Sequence, residues 1–258
     1  MIPHARHLRC TEQADAPHLL VLHGLLGSSD NWQTLGKRYA LTHNVWMLDA
    51  RNHGRSGHDS AHTYEAMAQD VVEFMDANGI AKARLLGHSM GGKTVLQLSQ
   101  THPDRIDRLV VADIAARAYE PHHGPIFDAL MATDPATAAS RDAVEDTLKA
   151  KLDNDPVLVP FLMKGLHRQK EGGFAWRFNV PVLKDALQRV VGHIDLGINT
   201  LPALFIRGSE SPYVSDDDLD ELEAHFLHMD HHTISGAGHW LHAQEPESFY
   251  DVTADFLG

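Results

Sequence analysis

Ala83-Arg84-Leu85-Leu86-Gly87-His88-Ser89-Met90-Gly91-Gly92-Lys93 is the stretch on which the reading of this chain turns. A short apolar run suited to a buried strand leads into Gly-x-Ser-x-Gly, and a helical pattern over residues 92–101, which Pro103 helps to stop, follows it. A strand that reverses sharply into a helix forces the residue at the bend into a strained backbone conformation, where flanking side chains would strike the neighbouring strand and helix. Glycines at 87 and 91 answer that need. Ser89 is therefore expected at the carboxyl end of a sheet, with backbone N–H groups of the helix start facing a ligand. The pattern alone arises by chance in glycine-containing sequences; its strand-to-helix setting makes it a statement about mechanism.

Working outward, short apolar runs alternate with longer amphipathic ones through the first half, which is the pattern of a parallel sheet with crossover helices. Strands are predicted at 18–23, 44–49, 83–87 and 108–113, with helices at 31–40, 64–78 and 92–101. The rhythm then changes. Residues 114–197 read as helical segments with several prolines and no clear sheet strand, and the sheet resumes with strands at 202–207 and 230–234 and helices at 215–226 and 247–257. The expected organisation is an α/β core over 1–113, an inserted helical cap over 114–197, and the rest of the core over 198–258. No internal repeat or low-complexity tract interrupts it.

Composition narrows the function classes. With 258 residues, 43% hydrophobic and 22% charged, the chain suits one large globular domain, and no apolar run is long enough for a membrane span. A net charge of −13 repels polyanions, so nucleic acid is not an expected partner. The opening Met1 to His7 lacks the apolar core of a secretory signal, and the lone Cys10 cannot form an internal disulfide; together they predict a cytoplasmic location. Twenty histidines invite a metal reading, yet no His-x-x-x-His stands on a predicted helix, and the pairs His122-His123 and His231-His232 lack further ligands at metal spacing. No metal and no cofactor are expected.

A serine hydroxyl is a weak nucleophile until a positioned base takes its proton. His239 is the expected base: Ser235-Gly236-Ala237-Gly238-His239-Trp240 follows the last predicted strand, and its glycines allow a turn that leans over the sheet's carboxyl edge. The backbone N–H of Met90 and that of Leu25, in His23-Gly24-Leu25-Leu26-Gly27 after an early strand, are the expected oxyanion donors. The acid departs from habit. The usual position, three residues after the glycine ending the strand that reopens the sheet, holds Ser211 in Gly208-Ser209-Glu210-Ser211. Asp113, at the end of the strand beside the elbow, is the favoured substitute; the competing reading has Asp113 capping the first cap segment, with Glu210 or Asp216 as the acid.

Assembled, these residues resemble the bacterial YbfF-type esterases and their mitochondrial relatives in the α/β-hydrolase superfamily, over nearly the whole chain. The likeness includes Asp49-x-Arg51-Asn52-His53-Gly54-x-Ser56, Gly92-Lys93, Asp113-Ile114, Trp176-Arg177-Phe178-Asn179-Val180-Pro181, Ser211-Pro212-Tyr213-Val214-Ser215 and Gly236-Ala237-Gly238-His239-Trp240-x-His242-Ala243. It implies an α/β-hydrolase fold, a mostly parallel sheet flanked by helices, with a helical cap inserted between two strands. It also implies hydrolysis of a small-molecule ester or acyl thioester, with Leu26, Trp176, Arg177 and Trp240 as candidate substrate contacts. An arginine over the site would suit an anionic substrate group. The same triad also serves carbon–carbon bond hydrolysis, lyase and perhydrolase chemistry, and a binding module that inherited the fold is the alternative outside catalysis.

Overall fold

The structure, a computed structural model, describes residues 1–13 and 15–258. Along the chain run β1 (Ala5–Leu8), β2 (His18–Leu22), α1 (Gln33–Tyr39), β3 (Asn44–Leu48), α2 (Tyr64–Ala77), β4 (Ala83–His88), α3 (Met90–Thr101) and β5 (Ile106–Ala112). The segment that follows holds α4 (Gly124–Ala132), α5 (Arg141–Lys151), α6 (Leu158–Met163), β6 (Leu166–Arg168), β7 (Phe174–Trp176), α7 (Val180–Asp185) and α8 (Leu187–Val190). The chain closes with β8 (Asn199–Gly208), α9 (Asp216–His225), β9 (Phe226–Ile234), α10 (Leu241–Gln244) and α11 (Pro246–Leu257). Among the described residues, seven strands form one sheet in the order β1-β3-β2-β4-β5-β8-β9, antiparallel only between β1 and β3.

Strands β2, β4 and β5 are almost wholly buried because helices cover both faces of a parallel sheet. One face packs Met67, Val71 and Phe74 of α2 with Val95 and Leu98 of α3; the other packs Leu35 and Tyr39 of α1 with Phe249 and Leu257 of α11. A third apolar cluster, with Phe127, Leu148, Leu162 and Leu183, holds the segment between β5 and β8 together. Helix starts follow the expected chemistry: Thr63 Oγ1 accepts from the Ala66 N–H at 3.3 Å, and Ser215 Oγ from that of Asp218 at 3.2 Å.

The structure departs from the sequence reading in three places. The segment between β5 and β8 contains a two-stranded antiparallel hairpin, β6 with β7, turning through Gly172 and Gly173 at φ +103° and +73°. Three-residue strands are too short to show a period. β9 starts at Phe226, before the expected 230, and is exposed along most of its length as the sheet's edge, so its polar half carried no apolar signal. β1, an edge strand of four half-buried residues, is likewise too short to show a period.

Both ends of the inserted segment are tied to each other and to the core. Tyr119 N–H donates to Val191 O and Ile194 N–H to Ala116 O, each at 2.8 Å. The buried Lys93 of α3 donates to the carbonyls of Arg117, at 2.7 Å, and Gly192.

Candidate active site

Register brings the site together. Leu22 pairs with Gly87 and His88 with Ala112, so β2, β4 and β5 end at one edge, and Ser89 N–H donates to Ala112 O at 3.0 Å. Ser89 sits at φ 54°, ψ −117°, the strained bend the motif predicts. A Cβ at Gly87 would lie 2.2 Å from Gly91 O, and one at Gly91 2.4 Å from Leu22 O, so neither position admits a side chain.

Asp113 is fully buried beside that elbow, at φ 52°. Its carboxylate accepts from the Gly208 N–H at 3.1 Å, from the Ser211 hydroxyl, and from His239 Nδ1–H at 2.7 Å. The other candidate acids lie elsewhere: Glu210 is exposed, and Asp216 pairs with Arg207 at 2.6 Å. Ser211 occupies the customary place of the acid and hydrogen-bonds to the carboxylate that replaces it. Sequence reasoning passed over this contribution, although the spacing from Gly208 already pointed to the position.

His239 Nε2 lies 3.0 Å from Ser89 Oγ, completing a hydrogen-bonded chain Asp113–His239–Ser89. Its loop rests on the end of β8, where Gly208 has no Cβ to strike Ala237 O at 2.3 Å and Glu210 N–H donates to that carbonyl at 2.9 Å. The buried His88 also holds this loop, with Nε2–H donating to His239 O at 2.8 Å. His242 stacks on Trp32 with centroids 4.4 Å apart, and burial, aided by His239, pulls it down to about 3, so it stays neutral.

The early glycine loop lies against the nucleophile: a Cβ on Gly24 would sit 3.0 Å from His88 Nδ1 and 3.2 Å from Ser89 Cβ. Two buried histidines shape it. His23 Nδ1–H donates to Gly24 O and its Nε2 accepts from Ala50 N–H, while His53 Nδ1–H donates to Arg51 O and its Nε2 accepts from Leu26 N–H at 3.1 Å. Burial lowers both, which keeps the second ring nitrogen of each free to accept. Leu26, at φ 60°, has thus committed its N–H to His53, and Leu25 is the loop residue beside Ser89 left to offer one. Met90 opens α3, where the first N–H groups have no partner within the helix.

A cavity of about 270 Å³ opens over Ser89 and His239, walled by Leu25, Leu26, Ile126, Leu158, Phe161 and Trp240. His122 and His123 also line it. Trp176 and Arg177 do not: Trp176, the last residue of β7, stacks on Phe178 just beyond it, and Arg177 faces a small cleft with Asp49 and Arg55 on the flank. Arg177, one residue past β7, lies beside the Asp49 loop and so supplies no cation to the cavity. A wider, shallow depression at the opposite edge of the sheet, around Asn44 and Arg84, lies away from Ser89. Among the described residues no three His, Cys, Asp or Glu converge as metal ligands, and no helix is long and apolar enough to cross a membrane.

Comparison with known proteins identifies relatives of the chain and of its fold. Residues 17–246 match the family model described as alpha/beta hydrolase fold. The chain is 42% identical over 240 residues to esterase YbfF of Escherichia coli, covering 93% of this chain and 92% of the relative. It is 35% identical to the sn-1-specific diacylglycerol lipase ABHD11 of Xenopus tropicalis, covering 95% and 79%. Among solved structures, a marine microorganism esterase superposes with a TM-score of 0.94 at 34% identity, covering all of both chains.

Proposed function

This chain belongs to the α/β-hydrolase family and is a serine hydrolase that cleaves esters, and from that premise we propose that Ser89, His239 and Asp113 carry out the chemistry. The observation that carries the proposal is the unbroken hydrogen-bonded path from Asp113 through His239 to Ser89. His239 Nε2 removes the Ser89 proton as Oγ attacks the ester carbonyl, and Asp113 keeps the Nδ1–H tautomer and balances the imidazolium. The N–H groups of Leu25 and Met90 meet the oxygen that becomes negative. His239 then passes its proton to the leaving alcohol, the acyl group remains on Ser89 Oγ, and a water deprotonated by the same imidazole releases the acid.

The cavity volume supports acyl groups of short to medium length. Its apolar walls grip the chain without an ionic contact, and they serve oxygen esters and thioesters alike. Hydrolysis rates across acyl-chain length, on matched oxygen and sulfur esters, test this reading. Each methylene that enters the cavity should raise kcat/KM by up to about fourfold, from about 0.8 kcal/mol of burial, until the cavity is full. A profile flat from acetyl to long chains would count against a defined acyl pocket.

A further inference from the structure

The flat face of His239 is covered by a residue to which the reaction above gives no role. Tyr213 stacks on the imidazole with ring centroids 3.9 Å apart and planes 17° from parallel. Three hydrogen bonds from two segments, its own loop and the 119–122 stretch, hold Tyr213 there. Its N–H donates to Ser211 Oγ at 3.3 Å, its carbonyl accepts from Tyr119 O–H at 2.7 Å, and its own O–H donates to His122 Nε2 at 2.7 Å. His122 in turn donates Nδ1–H to Glu120 O at 3.2 Å. Such anchoring exceeds what filling a gap requires, since a ring that only packs needs no fixed orientation.

We propose that Tyr213 is a positioning residue for the base, fixing the plane of the His239 ring and stabilising its protonated form through the electron-rich face of the phenol. The inference rests on the assignment of His239 as base. During both proton transfers His239 carries a positive charge for part of the cycle, and an aromatic face stacked on a cation attracts it most strongly where water is excluded. Stabilisation that appears only when the charge appears lowers the barrier without tightening substrate binding.

The surroundings leave this task to few groups. Asp113, at the end of β5, accepts Nδ1–H. His88 of β4 lies 4.8 Å from the ring, His242 of α10 and His123 of the inserted segment lie close by, and burial lowers all three, to about 4 for His123 and about 3 for His242. They contribute no positive charge at neutral pH, and Lys164, beyond the end of α6, lowers His242 further. Burial and then the Asp113 charge push the Tyr213 hydroxyl up to about 12, so the stacked ring remains a neutral phenol across the range in which the enzyme is assayed.

The test is the pH profile of kcat/KM for Tyr213→Leu and Tyr213→Phe, after His239→Ala has been shown to abolish turnover. Retained turnover in His239→Ala would remove the premise, separately from the proposal. In Tyr213→Leu the midpoint of the acid limb should move down by about 0.4 to 1.5 pH units and kcat should fall about 3- to 30-fold, with KM little changed. Tyr213→Phe, which keeps the aromatic face, should restore the midpoint. If Tyr213→Leu does not fold, pentafluorophenylalanine at 213 preserves shape while reversing the charge distribution of the face, and it should move the midpoint down relative to Tyr213→Phe. A fall in kcat with an unmoved acid limb in either comparison would overturn the proposal and leave Tyr213 as packing alone.

Discussion

Replacing Asp113 by asparagine changes one atom in a site whose hydrogen bonds decide which way the amide must lie. The carboxylate has three donors around it: the Gly208 N–H, the Ser211 hydroxyl and His239 Nδ1–H. An amide can face its oxygen to Gly208 and its NH2 to His239, which makes Nδ1 an acceptor and puts the ring proton on Nε2, pointing at Ser89. That histidine cannot accept a proton. The flipped amide restores the productive tautomer but sets NH2 against the buried Gly208 N–H, an unsatisfied pair costing about 1 to 3 kcal/mol. In either case the imidazolium loses a charged hydrogen-bond partner, about 1.5 to 3 kcal/mol more. Together these predict a fall in kcat of about 10² to 10⁴, the upper end matching the size known for this change in triads generally. Initial rates on p-nitrophenyl butyrate, with circular dichroism to confirm folding, provide the assay. Near-normal kcat in folded Asp113→Asn, with the loss appearing instead in Glu210→Gln, would refute the reasoning.

Three further outcomes are expected. Gly24→Ala adds a methyl 3.0 to 3.2 Å from His88 and Ser89, so kcat should drop about tenfold or more while the melting temperature barely moves; an unchanged kcat would contradict the close approach of that loop. Arg177→Ala should change kcat/KM by the same factor on neutral esters and on matched anionic ones, because Arg177 faces the flanking cleft; a selective loss on anions would place it in recognition after all. Burial, then Arg117, pulls Lys93 down to about 7, so between about pH 7 and 10 the unfolded chain binds more protons there and the native state gains stability as pH rises. Denaturant unfolding at pH 7 and pH 9 should show wild type gaining on Lys93→Met, whereas a constant difference would contradict the sign.

The sheet and the elbow were legible because their signals are local: alternating runs mark the parallel strands, and Gly87 and Gly91 sit where any Cβ would strike backbone. Choosing Asp113 required only that an aspartate end the strand next to Ser89. Tyr213 was not legible as a neighbour of the triad, and Ser211 only as the customary place of the acid, because their contacts join the ends of β5 and β8 and the loop after β9, segments far apart in sequence. Trp176 and Arg177 were misplaced for a related reason. A conspicuous aromatic-arginine pair says nothing about which way a three-residue strand faces, and the hairpin turned them away from the cavity. The weak elements are sheet edges: exposure erases the apolar pattern in the polar half of β9, and β1 has only four half-buried residues, too few for a period.

The most direct test of the central claim is fluorophosphonate labelling followed by peptide mass mapping, with the labelling rate measured in wild type and in His239→Ala. The hydrogen-bonded path from Asp113 to Ser89 requires one adduct, on Ser89, formed at least about 10²-fold more slowly without the imidazole. An adduct on another residue, or labelling of Ser89 at an unchanged rate in His239→Ala, would contradict it.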